Sequence, residues 1–243
     1  MYFWRSAIGP VDLAFTDRYG GVSAAPYDEL NLALESGDDI AARAENHRIV
    51  LADFGPGDEL VDLRQVHGDR IDVAEDPIDP DAPDGRPEAD GVVTARPGLT
   101  LMVRAADCVP VLLADVERGV IAAVHSGRPG LVAGVVPAAV QRMLDLGAAE
   151  ITAWIGPHVC GRCYEVPPTM QAEVAAVVPQ ARSTTSWGTP ALDIGAGVRA
   201  QLEAAGTAVV DVSACTRETP ALYSYRRDGA GAGRLAGLIR IRS

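Results

Sequence analysis

The chain has 243 residues and a mass of 25.4 kDa, with 48% hydrophobic but only 5% aromatic residues. That is enough to bury a large core without staples, most simply as a single domain over residues 1–243 built from small aliphatic side chains. A formal net charge of −12 and a pI near 4.7 exclude the basic surface that binds nucleic-acid phosphates, leaving small molecules as the expected partners.

The start M-Y-F-W-R-S lacks a basic segment followed by an apolar one, and no apolar stretch reaches the roughly 18–20 residues that span a bilayer. A cytoplasmic protein with no membrane partner is expected. Its cysteines, Cys108, Cys160, Cys163 and Cys215, then suit metal binding, catalysis or burial better than disulfides. Residues 15–23 read as a Gly-Gly turn after an aromatic segment, and 38–54 has the apolar spacing of a helix. Short Val-rich runs at 60–66, 71–74, 91–94, 99–105, 110–115 and 119–124 read as buried strands.

The segment E-D-P-I-D-P-D-A-P-D-G-R-P-E-A-D over 75–90 reads as an exposed acidic loop, or as a flap over a site because it joins strands lying between His67 and Cys108. Helices follow at 131–146, 169–178 and 194–205, with strands at 151–155 and 208–212. Strands interleaved with helices give an α/β (α+β) class with mixed sheets and outer helices. The remaining tail, from Tyr223 to Arg242, concentrates positive charge. Its G-A-G-A-G-R-L imitates a dinucleotide fingerprint, but too little chain follows for a βαβ unit, so a loop is expected. Beside it, Tyr225, Arg226, Arg227 and Arg234 could close over an anionic ligand.

Three segments each end an apolar run on a soft, chargeable residue: Q-V-H-G at His67, A-A-D-C at Cys108 and V-H-S-G at His125. Singly, such residues are more often packed than ligating. Their shared placement at strand ends, beside Gly, Asp or Pro, points instead to a scattered zinc site with three protein ligands and an open position. Asp107 is expected either to orient an imidazole or act as a base, or simply to cap the turn. Gln65 lies two residues before His67, on the same face of a strand, and is a candidate for substrate binding. Arg48, Arg104 and Arg128 are candidate phosphate holders. Two other arrangements stay open: a zinc knuckle of His158, Cys160 and Cys163, with or without Cys215, and Cys108 as a covalent nucleophile.

F-T-D-R-Y-G-G-V-S, L-N-L, Q-V-H-G, A-D-G-V-V-T, A-D-C-V-P-V-L-L-A-D, A-A-V-H-S-G, I-G-P-H-V-C-G-R-C-Y-E-V and Y-S-Y-R-R-D-G, in that order along most of the chain, resemble the YfiH-type family, also called laccase-domain or multicopper polyphenol oxidase-like proteins. The resemblance implies a layered α/β/β/α fold and zinc ligation by His67, Cys108 and His125. It also implies purine nucleoside phosphorolysis on adenosine, inosine, guanosine and methylthioadenosine, with adenosine deamination alongside. Peptidoglycan editing, by hydrolysis of a serine-containing UDP-muramyl precursor, is the rival activity in the family. Copper-dependent phenol oxidation, or non-catalytic metal binding, is a further alternative. Many members read H-A-G-W-R-G where this chain reads H-S-G-R-P-G, so Arg128 stands for the tryptophan and Pro129 for the arginine. An aromatic wall beside the metal is thereby expected to be lost. A zinc held by one thiolate and two neutral imidazoles keeps a charge of about +1, enough to make it a Lewis acid near neutral pH.

Overall fold

The structure is a computed structural model describing residues 1–74 and 86–243. Residues 75–85, which hold most of the expected acidic loop and the flap suggested for it, lie outside the described residues. The first half of the chain runs β1 (Tyr2–Ile8), β2 (Val11–Thr16), α1 (Ile40–Phe54), β3 (Glu59–Val61), β4 (Ile71–Val73), β5 (Gly91–Thr94), β6 (Leu99–Ala105), β7 (Val109–Asp115) and β8 (Val120–Ser126). Then come α2 (Arg128–Ala133), α3 (Val135–Asp145), β9 (Thr152–Ile155), α4 (Pro168–Val177), β10 (Arg182–Thr184), β11 (Pro190–Leu192), α5 (Ile194–Ala204), β12 (Ala208–Asp211), α6 (Tyr225–Asp228) and β13 (Leu235–Ile241).

One mixed sheet has the order β1-β2-β13-β6-β3 and the other β12-β9-β7-β8-β5-β4, while β10 and β11 pair separately. The alternation of side chains along each strand dictates how these sheets stack. In β7, Val109, Val111 and Leu113 face helices, packing with Leu131, Val135, Val140, Val174 and Val198. The intervening Leu112 and Ala114 face the other sheet, where Leu13, Phe15, Leu101, Val103 and Ile239 meet them. The first sheet's outer face, through Ala14, Met102 and Leu238, packs on Val50 and Phe54 of α1. The result is α/β/β/α layering. With both faces covered, β5 to β8 are buried along their whole length, which is why they appear in the sequence as continuous apolar runs.

The helices at 38–54, 169–178 and 194–205 and the strands from β4 to β8 lie where the sequence puts them, within a residue or two. Other segments differ for identifiable reasons. The aromatic start, to which the sequence reading assigns no element, is strand: β1 and β2 form a hairpin turning at Gly9, whose φ of 54° is left-handed. The run at 60–66 leaves the sheet after Val61, because the chain must bury Asp62 against arginines and turn to present His67. The helix expected over 131–146 starts earlier and breaks at Gly134, φ 88°, into α2 and α3. The basic tail ends in a central strand: β13 is buried throughout between β2 and β6, with Arg240 lying 3.4–3.5 Å from Asp58 and Asp12. Among the described residues no helix is long and apolar enough to cross a membrane.

The interface between the sheets leaves no slack where β9 ends. A Cβ on Gly156 would sit 2.3 Å from the ring of Phe15, which is itself 1% exposed. Gly156→Ala is therefore expected to destabilise the fold by about 1–3 kcal/mol. A thermal melt checks it, an unchanged midpoint showing that the Phe15 ring can yield.

Candidate active site and metal centre

The β6–β7 connection carries the chain from one sheet to the other, and Cys108 sits on it. His125 lies near the end of the adjacent β8, opposite Pro110, and His67 comes from the loop that leaves β3. The three ligand atoms lie within 4.8 Å of one another, with His67 Nε2 3.8 Å from Cys108 Sγ and the imidazoles edge to face at 4.9 Å between centroids. Tetrahedral zinc holds a nitrogen and a sulfur about 3.5 Å apart, so this soft S, N, N set fits the ion. Gly127 is needed where it stands, since a Cβ there would meet the His67 ring at 2.6 Å and the Cys108 sulfur at 3.2 Å.

Asp90, just before β5, organises the cluster. One carboxylate oxygen accepts from His125 Nδ1 at 2.9 Å and from the His67 N–H at 2.9 Å; the other accepts from the N–H groups of Val66 at 3.1 Å and Gly68 at 2.6 Å. Holding Nδ1 leaves His125 Nε2 facing the cluster. The bonds to residues 66–68 fix His67 at φ 61°, a left-handed conformation that a non-glycine residue adopts only under constraint. Burial alone would raise the Asp90 carboxyl, but the His125 hydrogen bond and the backbone donors hold it below the usual range. Burial also opposes ionisation of Cys108, yet the neighbouring imidazoles lower its thiol to about 6. Against its own burial, His125 is raised to about 9 by the Cys108 thiolate and Asp90.

The cluster opens into a cleft of about 1210 Å³. Arg104 and Arg128 line it, as does Gln65, but their commitments differ. Among the described residues Arg128 makes no hydrogen bond or ion pair. Arg104 is buried and ion-paired with Asp62, so its charge is largely spent. The Gln65 amide is engaged at both ends with the Arg104 backbone, at 2.8 Å each way, standing in for a missing strand rung. The expectation for Arg48 is corrected: it is exposed and paired with Glu45 at 2.6 Å, away from the cleft. The cleft-facing stripe of α1 is Ile40, Arg43, Ala44 and His47, and Arg48 falls about 100° further round the helix. Asp107, at φ 93°, orients neither imidazole. Its carboxylate accepts from Thr216 Oγ1 at 2.6 Å and Ser224 Oγ at 2.7 Å, tying down the C-terminal segment. That segment brings Tyr225, Arg226 and Arg234 into the cleft, whereas Arg227 is turned away onto the carbonyls of Thr216 and Leu222. The aromatic wall expected to be lost is supplied from elsewhere, by Tyr164, over whose ring the Arg226 guanidinium sits at 4.9 Å, and by Tyr225. His158 stays out of any cluster, with Nδ1 on the Gly156 carbonyl at 2.8 Å.

The model of the family described as multi-copper polyphenol oxidoreductase laccase matches residues 12–242. The chain belongs to that family. Among its relatives, a Streptomyces coelicolor protein named purine nucleoside phosphorylase is 54% identical over 97% of each chain. A Mycobacterium tuberculosis protein of the same name is 48% identical over 92% of this chain and 89% of that one. The crystal structure of YlmD from Geobacillus stearothermophilus superposes with a TM-score of 0.86 at 27% identity, covering 100% of this chain and 99% of that one. That of Bacillus licheniformis YfiH gives 0.84 at 28% identity, over 96% and 93%. The layered fold is thus that of the YfiH-type proteins, and the curated relatives support an enzyme.

Asp90 escapes the sequence because a carboxylate ahead of a strand resembles a cap. Its one signal is its place in A-D-G-V-V-T, a glycine away from a wholly buried run. Asp90→Ala in this laccase-family chain is expected to weaken zinc binding about 10- to 100-fold in a competition titration with a chromophoric chelator. Unaltered affinity would show that the imidazoles need no outer support.

Asp62 gives a pH prediction. Burial would raise its carboxyl, but the charge and hydrogen bond of Arg104, then the charge of Arg86, hold it below the usual range. A folded-state value below the unfolded one of about 3.9 contributes stability that is complete above that pH and lost as acid takes the solution below it. Asp62→Asn should cost about 3 kcal/mol or more at neutral pH, since it strands a buried Arg104, and should flatten the acid limb below about pH 4. Urea unfolding across pH measures both, and parallel acid limbs would contradict the assignment.

Proposed function

We propose that the chain is a cytoplasmic, zinc-dependent purine nucleoside phosphorylase that cleaves adenosine, inosine, guanosine and methylthioadenosine with phosphate as nucleophile. The observation that carries this reading is the His67, Cys108, His125 cluster opening into a cleft that also presents Arg128, Arg226 and Tyr164. The names of relatives at 54% and 48% identity support it. His67, Cys108 and His125 would hold the zinc, which would supply a Lewis acid at the cleft.

The chain's own residues do the remaining work. Arg128, whose side chain makes no hydrogen bond or ion pair among the described residues, and Arg226 offer guanidinium forks for phosphate oxygens, so the dianion can be held against the ribosyl carbon as the bond to the base breaks. Tyr164 and Tyr225 offer ring faces to a purine. Arg234, half-buried and hydrogen-bonded to the Ala232 and Gly233 carbonyls, adds fixed positive charge to the wall. Asp107 acts through the segment it anchors, positioning Arg226. Adenosine deamination is proposed as a second activity of the same centre, since a Lewis acid beside a purine-sized cleft suits hydrolytic displacement of an amino group.

Copper oxidase chemistry is disfavoured by ligand supply. The chain has four histidines; His47 bonds the Leu32 carbonyl at 3.0 Å and His158 the Gly156 carbonyl, leaving two imidazoles at the cluster where a multicopper centre needs many.

Incubated with adenosine and phosphate, the protein should release adenine and ribose 1-phosphate, with some inosine. His125→Ala should lower turnover by at least about a hundredfold. Chromatography of the products decides it: wild-type rates in a metal-free His125→Ala protein would refute the zinc assignment. Turnover of a serine-bearing UDP-muramyl precursor alone would assign the editing reaction instead.

A further inference from the structure

We propose a second metal site, formed by Cys160, Cys163, Cys215 and Glu218, for a thiophilic divalent cation of the zinc class. Two short turns face each other there. In the first, the Cys163 N–H donates to the Cys160 carbonyl at 2.9 Å and the Tyr164 N–H to the same oxygen at 3.1 Å. In the second, the N–H groups of Glu218 and Thr219 donate to the Cys215 carbonyl at 3.2 and 3.0 Å. Each turn therefore presents two donor side chains three residues apart on one side, as C-x-x-C and C-x-x-E. A parallel bridge between His158 and Cys215 locks the turns together, with N–H to carbonyl bonds of 3.2 and 3.0 Å on either side.

The four donor atoms, three sulfurs and a carboxylate oxygen, lie within 4.8 Å of one another. Three thiols and a carboxylate complete a tetrahedral set without water, the closed pattern of structural zinc rather than the open one of a catalytic ion. The Cys160 N–H donates to Cys215 Sγ at 3.4 Å, which holds that sulfur towards the first turn. None of the three cysteines is disulfide-bonded, and pairing any two would leave the third thiol and Glu218 without a role. The knuckle considered from the sequence is thus re-formed with Glu218 in place of His158, whose ring is spent on Gly156 and packed against Gly195.

The position gives the ion a task. Tyr164 follows Cys163 directly and lines the cleft; Thr216 follows Cys215 directly and holds Asp107, next to Cys108. An ion here clamps together the two turns from which that wall of the cleft is built, so it is a staple for the site and not part of its chemistry.

Metal content tests this without any activity measurement, so its failure and that of the phosphorylase reading are distinguishable. Zinc-loaded, desalted wild type should carry about two equivalents per chain, and a His67→Ala/Cys108→Ala/His125→Ala variant about one. Cobalt(II) in that triple variant should give an intense thiolate-to-cobalt charge-transfer band, which Cys163→Ser/Cys215→Ser, added to it, abolishes. Where that addition prevents folding, Glu218→Gln, on an exposed position, serves instead: it should weaken the remaining equivalent by at least about tenfold. A wild type with about one equivalent, lost entirely in the triple variant, would overturn the proposal. So would a disulfide among Cys160, Cys163 and Cys215 in the non-reduced intact mass of freshly purified protein.

Discussion

The carboxylate of Asp90 is the constraint on which the site depends. It satisfies three successive backbone N–H groups at 66–68 and the far nitrogen of His125, so one buried anion fixes a loop from the first sheet and a strand end from the second. Without it His67 would relax from its left-handed backbone conformation, and the His125 ring would be free to rotate or change tautomer. Ligands so far apart in sequence converge because this carboxylate makes the backbone at His67 and the ring at His125 parts of a single hydrogen-bonded unit.

Around that unit the charge distribution inverts. A chain of net charge −12 lines this cleft with Arg43, Arg64, Arg86, Arg104, Arg128, Arg226 and Arg234. Most are internally occupied: Arg104 and Arg86 meet on Asp62, Arg43 caps the Leu34 carbonyl, and Arg234 bonds carbonyls of its own loop. What a ligand meets is a rigid positive wall with Arg128 and the stacked Arg226 left to engage it. In a low-dielectric pocket, such preset charge binds an anion without first having to reorganise.

Much of this was legible in the sequence wherever burial imposed a simple period. Strands β5 to β8 are covered on both faces and read as unbroken apolar runs; α1, α4 and α5 read from their spacing. The residues of the cluster were visible because soft donors at strand ends are rare. The segments that were not legible mix periods with charge: β13 hides behind Arg240 and Arg242, the β1–β2 hairpin behind Arg5 and Asp12. Arg48 was misplaced because only the helix's rotational phase separates it from His47, and phase is set by the tertiary packing of Val50 and Phe54. Gln65 and Asp107 line the cleft, but their hydrogen bonds go to partners 39 and 109 residues away, which no local pattern reveals.

The insertion of β13 between β2 and β6 has a consequence for how the protein is made. Edges of β2 and β6 that are central in the finished sheet have no neighbour until the segment at 235–241 has emerged from the ribosome. The β1–β2 hairpin must therefore wait, with the outer edge of β2 unpaired, until residues 17–234 have been made. A chain of this topology gains from synthesis without long pauses, or from a chaperone that shields the open edge until the gap is filled.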